Sequence, residues 1–314
     1  MISTVRGGSY NMDGKHAYLI MAHNRFDQLG KLIKALDDKR NDIFIHIDKK
    51  NKNLNSEICR ELKDIAINSH ILIYNDIYVY WSDYSQVECE LYLLQKATEV
   101  RRYQYYHLIS GQDFPIKSQK YIHSFFDKNN GKEFVDYQKI FFNNHKLLIL
   151  DRVKYYHPFR KYCRYFQHDI LNKLFRGFDK IAVISQKIAK IDRCKKNNLD
   201  ICFGANWFSI TDSFARYILK NKDFIEKNFK YTNCPDELFI QTLLKSSCFI
   251  RNLYHETIDD FYGNMRLVDF QRGNPYTYRC EDIEEIRNSK YLFLRKVDEK
   301  VDSELINLIE ELWD

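Results

Sequence analysis

The chain has 314 residues, of which 45% are hydrophobic and 15% aromatic, and its formal net charge is +6. This apolar fraction excludes global disorder, and the length predicts one large α/β unit or two fused lobes. The mildly basic charge favours anionic partners such as phosphates, nucleic acid or a membrane face, without choosing among them. No apolar run in the sequence approaches the roughly 20 residues of a membrane-spanning helix.

The cysteines and the first residues predict a cytoplasmic location. The cysteines are scattered and never form C-x-x-C, which predicts reduced thiols rather than a zinc site or a disulfide scaffold. Residues 1–14 lack the apolar segment of a secretory signal, so we expect a flexible leader. The expected protein is cytoplasmic and at most peripheral at the inner face of the membrane. The cysteines are Cys59, Cys89, Cys163, Cys194, Cys202, Cys234, Cys248 and Cys280.

Residues 15–137 predict strands that alternate with amphipathic helices. This alternation predicts an α/β sheet of parallel strands, with crossover helices on both faces. Polar residues follow the strand ends, which is where open parallel sheets bind ligands. The predicted strands are 16–24, 42–48, 70–74 and 105–110, the helices lie near 29–36, 57–67 and 87–94, and the polar residues are His23, Asn24, His46, Asp48, Gln112 and Asp113.

Residues 138–314 predict a second half of the same domain, beside the α/β half at 15–137. Helices are predicted at 209–219, 236–244 and 305–312, and a late strand at 291–294. There is neither an internal repeat nor a low-complexity linker in the sequence, so we expect the two halves to share one core.

Several common catalytic motifs are absent from the sequence. The patterns G-x-G-x-x-G and G-x-x-x-x-G-K-[ST] do not occur, which argues against dinucleotide oxidoreductases and P-loop NTPases. The G-x-S-x-G elbow of serine hydrolases is missing as well. No D-x-D occurs, so a bound diphosphate would need cationic side chains in place of a divalent ion.

Seven segments in register resemble the core-2/I-branching family, which contains β-1,6-N-acetylglucosaminyltransferases and peptide O-xylosyltransferases. The resemblance runs from about residue 16 to residue 298. It implies a GT-A-like fold with a mixed α/β sheet, a UDP-sugar donor, an inverting transfer and no metal ion or other cofactor. The segments are YLIMAHN, IFIHIDKK, YVYWSDYSQVECELYLLQKA, YYHLISGQDFPIKS, GANWFSIT, CPDELFIQTLL and YLFLRKVD.

The resemblance also implies roles for individual residues. The P-D-E motif of the family carries the catalytic base, which falls on Glu237 here. The diphosphate-binding cations match Arg279 in YTYRCED and Lys296 in LFLRKVD, and Arg295 could share that role. Asp48 falls where relatives hold the uracil. One base and two fixed cations are what a single displacement needs when no metal neutralises the leaving group.

The P-D-E motif has a purely structural alternative. Proline in the first turn followed by acids is a frequent helix start, because the acids lie at the positive end of the helix dipole. That position weakens a base, whereas a neighbouring carboxylate strengthens it. Asp236, beside Glu237, is expected to be a helix cap or an acceptor contact.

The other donor-side candidates also have structural alternatives. His23 and Asn24 are expected to touch the nucleotide, unless they only satisfy a strand end. Trp81 could wall the nucleotide pocket, in a loop where Asp83 could simply cap the next helix. Asp113 could orient the donor sugar, or it could form a turn before Phe-Pro.

Three residues are expected on the acceptor side. Trp207 could offer an aromatic face to a sugar or belong to the core. Phe270 stands where the glucosaminyltransferases carry a tryptophan, which leaves the acceptor open. Arg152 begins a basic and aromatic stretch that ends at Arg176. This stretch could be a solvated face over core aromatics, a contact with anionic lipid, or a grip on single-stranded nucleic acid; we expect no nucleic-acid partner.

The resemblance, with which these patterns agree, implies an inverting, metal-independent glycosyltransferase whose nucleotide-sugar-binding half is 15–137 and whose acceptor-binding and catalytic half is 138–314. It would move N-acetylglucosamine from a UDP-sugar to a hydroxyl of a glycan or lipid-linked oligosaccharide. Transfer from UDP-xylose in the manner of peptide O-xylosyltransferases is the alternative reaction. A third option is a peripheral module that binds sugar or an anionic polymer without catalysis.

Overall fold

The computed structural model describes residues 14–166, 169–255 and 261–313. The predicted leader therefore lies outside the described residues, except for Gly14. The strands in this part of the chain are β1 His16–Ala22, β2 Asn41–Ile47, β3 His70–Tyr74, β4 Tyr105–Ser110, β5 Asp113–Pro115, β6 Phe134–Val135, β7 Phe208–Thr211, β8 Arg266–Val268 and β9 Phe293–Arg295.

Helices flank the sheets, and several begin at side-chain caps of the expected kind. The α-helices are α1 Phe26–Leu36, α2 Ser56–Asp64, α3 Ser85–Val100, α4 Gln119–Lys128, α5 Lys139–Asn144, α6 Lys146–Lys154, α7 Asp169–Ile188, α8 Arg193–Lys196, α9 Asp212–Lys220, α10 Lys222–Phe229, α11 Phe239–Lys245, α12 Ile283–Arg287 and α13 Leu305–Glu310. Asn55, Ser118 and Thr211 each accept a backbone N–H in the first turn of α2, α4 and α9. Within the described ranges, no helix is long and apolar enough to span a bilayer.

The main sheet has the strand order β3-β2-β1-β4-β7-β6. The pairs β1–β2, β2–β3 and β1–β4 are parallel, whereas β7 pairs antiparallel with both β4 and β6. The predicted single α/β domain with a mixed sheet and flanking helices is confirmed. From β1 the chain moves outward through β2 and β3 and then returns to β4 on the other side of β1. Such a reversal of strand order opens a crevice beyond the carboxyl ends of the strands, where ligands bind.

A smaller sheet, in the order β5-β9-β8, brings the late part of the chain to that crevice. Strand β5 begins three residues after β4 ends and pairs antiparallel with β9. This register sets Asp113 opposite Arg295, although 182 residues separate them along the chain.

The core lies on both faces of the main sheet. Along β1, Tyr18 and Ile20 belong to one buried cluster and Ala17 and Leu19 to the other, because successive side chains of a strand point to opposite faces. The predicted apolar face of α1, at 29, 32, 33 and 36, is fully buried, so its periodicity was interpreted correctly. Each such Leu or Ile contributes about 1.5–3 kcal/mol through burial.

Two predictions about the second half need correction. The helix predicted at 209–219 is wrong in its first three residues, because Phe208–Thr211 forms β7 and α9 begins at Asp212. Tertiary pairing overrides the local pattern here, since β7 fills the gap between β4 and β6 and buries Phe208 and Ile210. The late strand begins at Phe293 rather than at residue 291.

Candidate active site

A cleft of about 510 Å³ opens at the carboxyl ends of β1, β2 and β4. Its position is the point where the strand order reverses, as expected for an open α/β sheet. Residues that are far apart in the sequence meet in this cleft. The lining includes the predicted residues His23, Asn24, Asp48, Trp81, Trp207 and Arg295, together with Gln86, Ser110 and Gln112.

Arg295 forms one wall of the cleft. Its guanidinium group donates to Asp113 Oδ1 and to Ser110 Oγ, both at 2.7 Å, and lies 4.4 Å from the centre of the Trp207 ring. The buried Asp113 also accepts the Ser110 backbone N–H, so it forms the predicted turn and holds Arg295 as well. Trp207 belongs largely to the core and is covered by Arg295.

Three cations lie near one another at this edge, of which only Arg295 lines the cleft itself. Partial burial and the charges of Arg295 and Arg25 lower the pKa of Lys296. Arg25 pairs with Asp298 and Arg295 with Asp113. Lys296 makes no ion pair with any residue that the structure describes. The edge therefore carries excess positive charge, which a bound anion would stabilise.

The buried Gln28 of α1 holds this edge together. Its amide nitrogen donates to the carbonyl oxygens of Gly111 at 3.1 Å and Val297 at 3.2 Å. Its amide oxygen accepts the N–H of Glu299 at 3.2 Å. Gln28 thus ties the loop after β4 to the segment after β9 that carries Lys296.

Asp48 orders the loop that follows β3. Its Oδ1 accepts the N–H groups of Lys50 at 3.0 Å and Val79 at 3.3 Å, and its Oδ2 lies 3.2 Å from the Lys50 ammonium. The nearby His46 ring accepts the Ile77 N–H, in keeping with the lowering of its pKa by burial. Asp48 therefore has a structural role beside the predicted uracil contact, which stays a prediction.

The Trp81 loop forms another wall. The exposed Trp81 ring lies 3.9 Å from the guanidinium carbon of Arg164. Ser82 adopts the left-handed region with φ of 64°, where its hydroxyl accepts Arg160 Nε at 2.8 Å and its carbonyl accepts the Cys234 N–H at 3.0 Å. Non-glycine residues with such backbones cost on the order of 1–3 kcal/mol and cluster at functional sites.

The P-D-E motif, Pro235–Glu237, is a 3₁₀ turn directly before α11. Glu237 Oε2 accepts from Arg152 Nη1 at 2.6 Å, and the Glu237 carbonyl accepts the Gly204 N–H at 3.1 Å. Cys234, just before the motif, has a second left-handed backbone with φ of 50°. The helix predicted at 236–244 therefore begins only at Phe239, because the motif forms a separate turn before it and no side chain caps α11. The motif lies in a strained, cross-linked region beside the cleft.

Asp236 is buried beneath the motif and lies against α3. Its Oδ2 accepts from Gln86 Nε2 at 3.1 Å, whereas Oδ1 has no hydrogen-bond partner among the described residues. Burial, followed by the charge of Glu237, raises the pKa of Asp236 to about 7. Glu90 lies on α3 one turn after Gln86. Its pKa is raised by burial and then by the charge of Asp236, and the nearby Asn206 side chain offsets only part of this shift. This carboxyl pair therefore keeps a proton in the folded protein at neutral pH.

A second cavity of about 440 Å³ lies beyond Phe203. The guanidinium carbon of Arg152 is 5.7 Å from the centre of the Phe203 ring. The motif therefore touches the cleft through the contact of Asp236 with Gln86, and the second cavity through the contact of Arg152 with Phe203. Lysines line this cavity: Lys139, Lys146, Lys154, Lys195 and Lys245.

Several predicted residues do not line the cleft: Asp113, Arg152, Lys296 and the P-D-E motif lie behind or beside its lining, whereas Arg279 and Phe270 are exposed outside it. Arg279 is exposed, with its backbone N–H on Asp282, although the preceding Tyr278 hydrogen-bonds to the Lys296 carbonyl at 3.0 Å. Phe270 is exposed and packs against Phe261, with ring centres 5.5 Å apart. The diphosphate role of Arg279 and the acceptor role of Phe270 stay predictions.

The start of the basic and aromatic stretch is folded against the site. The contacts of Arg152, Arg160 and Arg164 are described above. In addition, Lys154 pairs with Asp192 at 3.7 Å, and the Lys161 ammonium lies 5.9 Å from the centre of the Tyr80 ring. These cations are occupied by contacts within the protein.

Sequence reasoning missed four residues of the site. Arg25, Gln28, Gln86 and Glu90 belong to no catalytic pattern, and their roles depend on partners far along the chain. Two signals existed: Arg25 directly follows the predicted pair His23 and Asn24, and Glu90 is a carboxylate at an apolar position of a helix.

Over residues 14–166, 169–255 and 261–313, no group of three or more His, Cys, Asp or Glu side chains could hold a metal ion. The expected absence of a metal cofactor stays a prediction.

Fold and cleft together define an α/β protein with a ligand site at the strand-order reversal and a cationic edge. Residues 16–291 match the family model described as Core-2/I-Branching enzyme, and the chain belongs to this family. The resemblance of the sequence segments is thereby confirmed, and the mixed sheet with flanking helices is consistent with the GT-A-like fold that it implied.

Curated relatives are distant in sequence. Xylosyltransferase 2 of Canis lupus familiaris is 22% identical over 94% of this chain and 33% of its own length. Xylosyltransferase 2 of Homo sapiens is 22% identical over 95% of this chain and 34% of its own length. Xylosyltransferase 1 of Rattus norvegicus is 19% identical over 94% of this chain and 35% of its own length. The chain thus spans about a third of the length of these relatives.

Proposed function

We propose that this protein is an inverting, metal-independent glycosyltransferase that moves a sugar from a UDP-sugar to a hydroxyl group of an acceptor. The observation that carries the proposal is the excess positive charge of Arg25, Arg295 and Lys296 at the cleft edge. A UDP-sugar has a diphosphate next to the sugar, and negative charge grows there as UDP departs. Fixed cations stabilise that charge without having to reorganise during the reaction.

Glu237 is the proposed general base. Its carboxylate is partly exposed, and Arg152 holds one of its oxygens at 2.6 Å. The motif reaches the cleft lining through Gln86 and the lining of the second cavity through Arg152 and Phe203, although Glu237 itself lines neither. The buried Asp236 connects the motif to α3 through Gln86, and the buried Glu90 lies nearby on the same helix. A base must come within hydrogen-bond reach of the hydroxyl proton that it removes.

The proposed reaction is a single displacement. Glu237 takes the proton of the acceptor hydroxyl, and that oxygen forms a bond to the anomeric carbon. The bond between this carbon and the phosphate oxygen breaks, and UDP leaves with the electron pair. Lys296, assisted by Arg295, stabilises the diphosphate, and Arg279, which is exposed outside the cleft in this structure, is proposed to join them when the donor is bound. Removing one of these cations should slow turnover by roughly 10²–10³-fold.

The donor sugar has two candidates. N-acetylglucosamine follows from the branching enzymes that the sequence segments resemble. Xylose is favoured by a different observation, since the relatives named above are xylosyltransferases. A competition assay distinguishes them: transfer from one radiolabelled UDP-sugar is measured while the other is added unlabelled. The true donor inhibits transfer from its competitor at a lower concentration than the competitor needs to inhibit transfer from the true donor.

The acceptor is proposed to be a glycan or a lipid-linked oligosaccharide on the cytoplasmic side of a membrane. The second cavity has five lysines and three aspartates in its lining, and two of the lysines pair with Asp192 and Asp200. The remaining positive charge supports an acceptor that carries negative charge. Acceptor competition with neutral and uronic-acid oligosaccharides measures this preference.

The Glu237→Gln variant tests the proposal. It keeps the size of the side chain and removes the base, so turnover should fall by roughly 10²–10⁴-fold while UDP affinity in calorimetry stays within about twofold. Glu61→Gln, which changes an exposed carboxylate on α2, is the matched control. Near-normal turnover of Glu237→Gln would show that another group is the base. Tight UDP-sugar binding with no transfer by the wild-type protein would favour the sugar-binding module instead.

Metal independence has its own measurement. Activity should persist in EDTA, since side-chain cations carry the proposed charge stabilisation. Complete loss in EDTA with recovery on adding Mn²⁺ would contradict the role given to Arg279 and Lys296.

A further inference from the structure

Helix α7, Asp169–Ile188, presents an apolar stripe to solvent. Its members recur at steps of four, seven, three and four residues, so they share one side of the helix. The stripe runs along about 27 Å of helix. Single exposed apolar residues are ordinary, but a continuous stripe marks an interaction surface. The members are Ile170, Leu174, Ile181, Ile184 and Ile188, which are 80%, 49%, 64%, 56% and 78% exposed.

The other side of α7 is the one that packs on the protein. The buried Asp179 pairs with His157 at 2.8 Å, and Gln186 Nε2 donates to the Tyr156 carbonyl at 2.8 Å. Phe175 packs against Tyr162, with ring centres 5.1 Å apart. The helix is therefore anchored by one face and leaves the stripe unpartnered.

Charge beside the stripe is mostly of one sign. The exposed carboxylate of α7 is Asp169 at its start, and it pairs with Lys173 and Arg176. Lys180 on the helix and Lys190 just after it are exposed and make no ion pair within the described ranges. A second copy of the chain on this stripe would bring like charges together, whereas an anionic lipid surface would meet lysines along one flank of the apolar face and Lys190 just beyond its end.

We infer that α7 lies flat on an anionic phospholipid surface. Its isoleucines enter the boundary between headgroups and acyl chains, and its lysines contact the headgroup phosphates. An apolar face of isoleucine and leucine flanked by lysine is the arrangement of interfacial helices, and it explains why this face is not buried in the protein.

This docking would bring the cleft close to the lipid headgroups. The 3₁₀ helix Arg160–Arg164 lies between α7 and the cleft, since its Tyr162 packs on Phe175 of α7 and its Arg164 stacks on Trp81. An acceptor carried on a lipid would then reach the site by diffusion within the membrane. This consequence rests on the proposed function; the docking itself does not.

Vesicle co-sedimentation of the full chain tests the docking without any activity readout. The protein should sediment with phosphatidylcholine vesicles that contain about 30% phosphatidylglycerol at low salt, and far less with phosphatidylcholine alone. Ile181→Asn with Ile184→Asn should weaken this binding by roughly tenfold or more, because two apolar side chains no longer enter the lipid. Lys180→Gln with Lys190→Gln should also weaken it and flatten its salt dependence.

The matched control is Ile67→Asn, a residue 90% exposed elsewhere on the surface, which should bind as the wild type does. Circular dichroism melting of every variant shows that the fold is retained, as expected for changes at exposed positions. Equal binding by wild type and the Ile181/Ile184 variant, or absence of binding to anionic vesicles at low salt, overturns the inference. A concentration-dependent dimer in light scattering that the same variant abolishes would assign the stripe to a second copy instead.

Discussion

Replacing Asp236 with Asn is expected to stabilise the folded protein, and more at pH 8 than at pH 5. Burial and then Glu237 raise the pKa of Asp236 from 3.8 to about 7. A carboxyl group whose pKa is raised by folding binds its proton more tightly in the folded state. Stability is therefore lost as pH rises from 3.8 to 7, and the whole cost is present above pH 7.

The magnitude follows from the size of the shift. A shift from 3.8 to about 7 at about 1.4 kcal/mol per pKa unit is a cost of about 4 kcal/mol at pH 8. At pH 5 the cost is less than half as large, because the carboxyl group is then still mostly protonated in the folded protein. Asn does not titrate, and its amide oxygen can still accept from Gln86.

Urea unfolding of Asp236→Asn and the wild type at the two pH values is the assay. We expect a gain in unfolding free energy of roughly 2–4 kcal/mol at pH 8 and a gain about half as large or less at pH 5. Glu61→Gln, at an exposed position, should change neither value by more than about 0.5 kcal/mol. A gain of equal size at both pH values, or destabilisation at pH 8, would refute the argument that a buried charge is the cause.

Three further predictions concern other parts of the molecule. Lys296→Met should lower kcat/KM by roughly 10²–10³-fold without lowering the melting temperature, since it removes a charge repelled by its neighbours; a normal rate would contradict its proposed role. Burial, followed by Arg40, lowers the pKa of His123 from 6.5 to about 4, so about 3 kcal/mol of stability should be lost as pH falls from 6.5 to 4; denaturant titrations that show no such loss would count against this. Gly204→Ala should destabilise the fold by roughly 3 kcal/mol or more, because its Cβ would lie 1.9 Å from a backbone oxygen, while Gly177→Ala, with no atom within 4 Å, should not destabilise in thermal melts.

The local features of the first half could be predicted from the sequence. Leu29 and its partners recur at helical spacing and are buried, and the apolar runs at 16–24 and 105–110 contain strands β1 and β4. Asp83 accepts the Ser85 N–H just before α3, although the cap position of that helix is Tyr84 and no side chain caps it. Such features are determined by neighbours within a few residues, so the sequence carries them directly.

Other features depended on contacts between distant segments. Residues 209–211 belong to β7 because they pair with the edge of β4. Helix α9 begins only where that pairing ends. The sequence did not predict α7, and the basic stretch before it proved to be folded against the Trp81 loop.

The sequence by itself determined the family, the α/β alternation and the polar positions after the strands, because each of these depends on short-range pattern. Only the tertiary structure decided that Arg295 lies on Trp207 with Asp113 behind it, that Asp236 and Glu90 share a buried site, and that the apolar face of α7 stays outside. Charge interactions and burial depend on distances in space, and segments as far apart as β5 and β9 come together only when the sheets have formed.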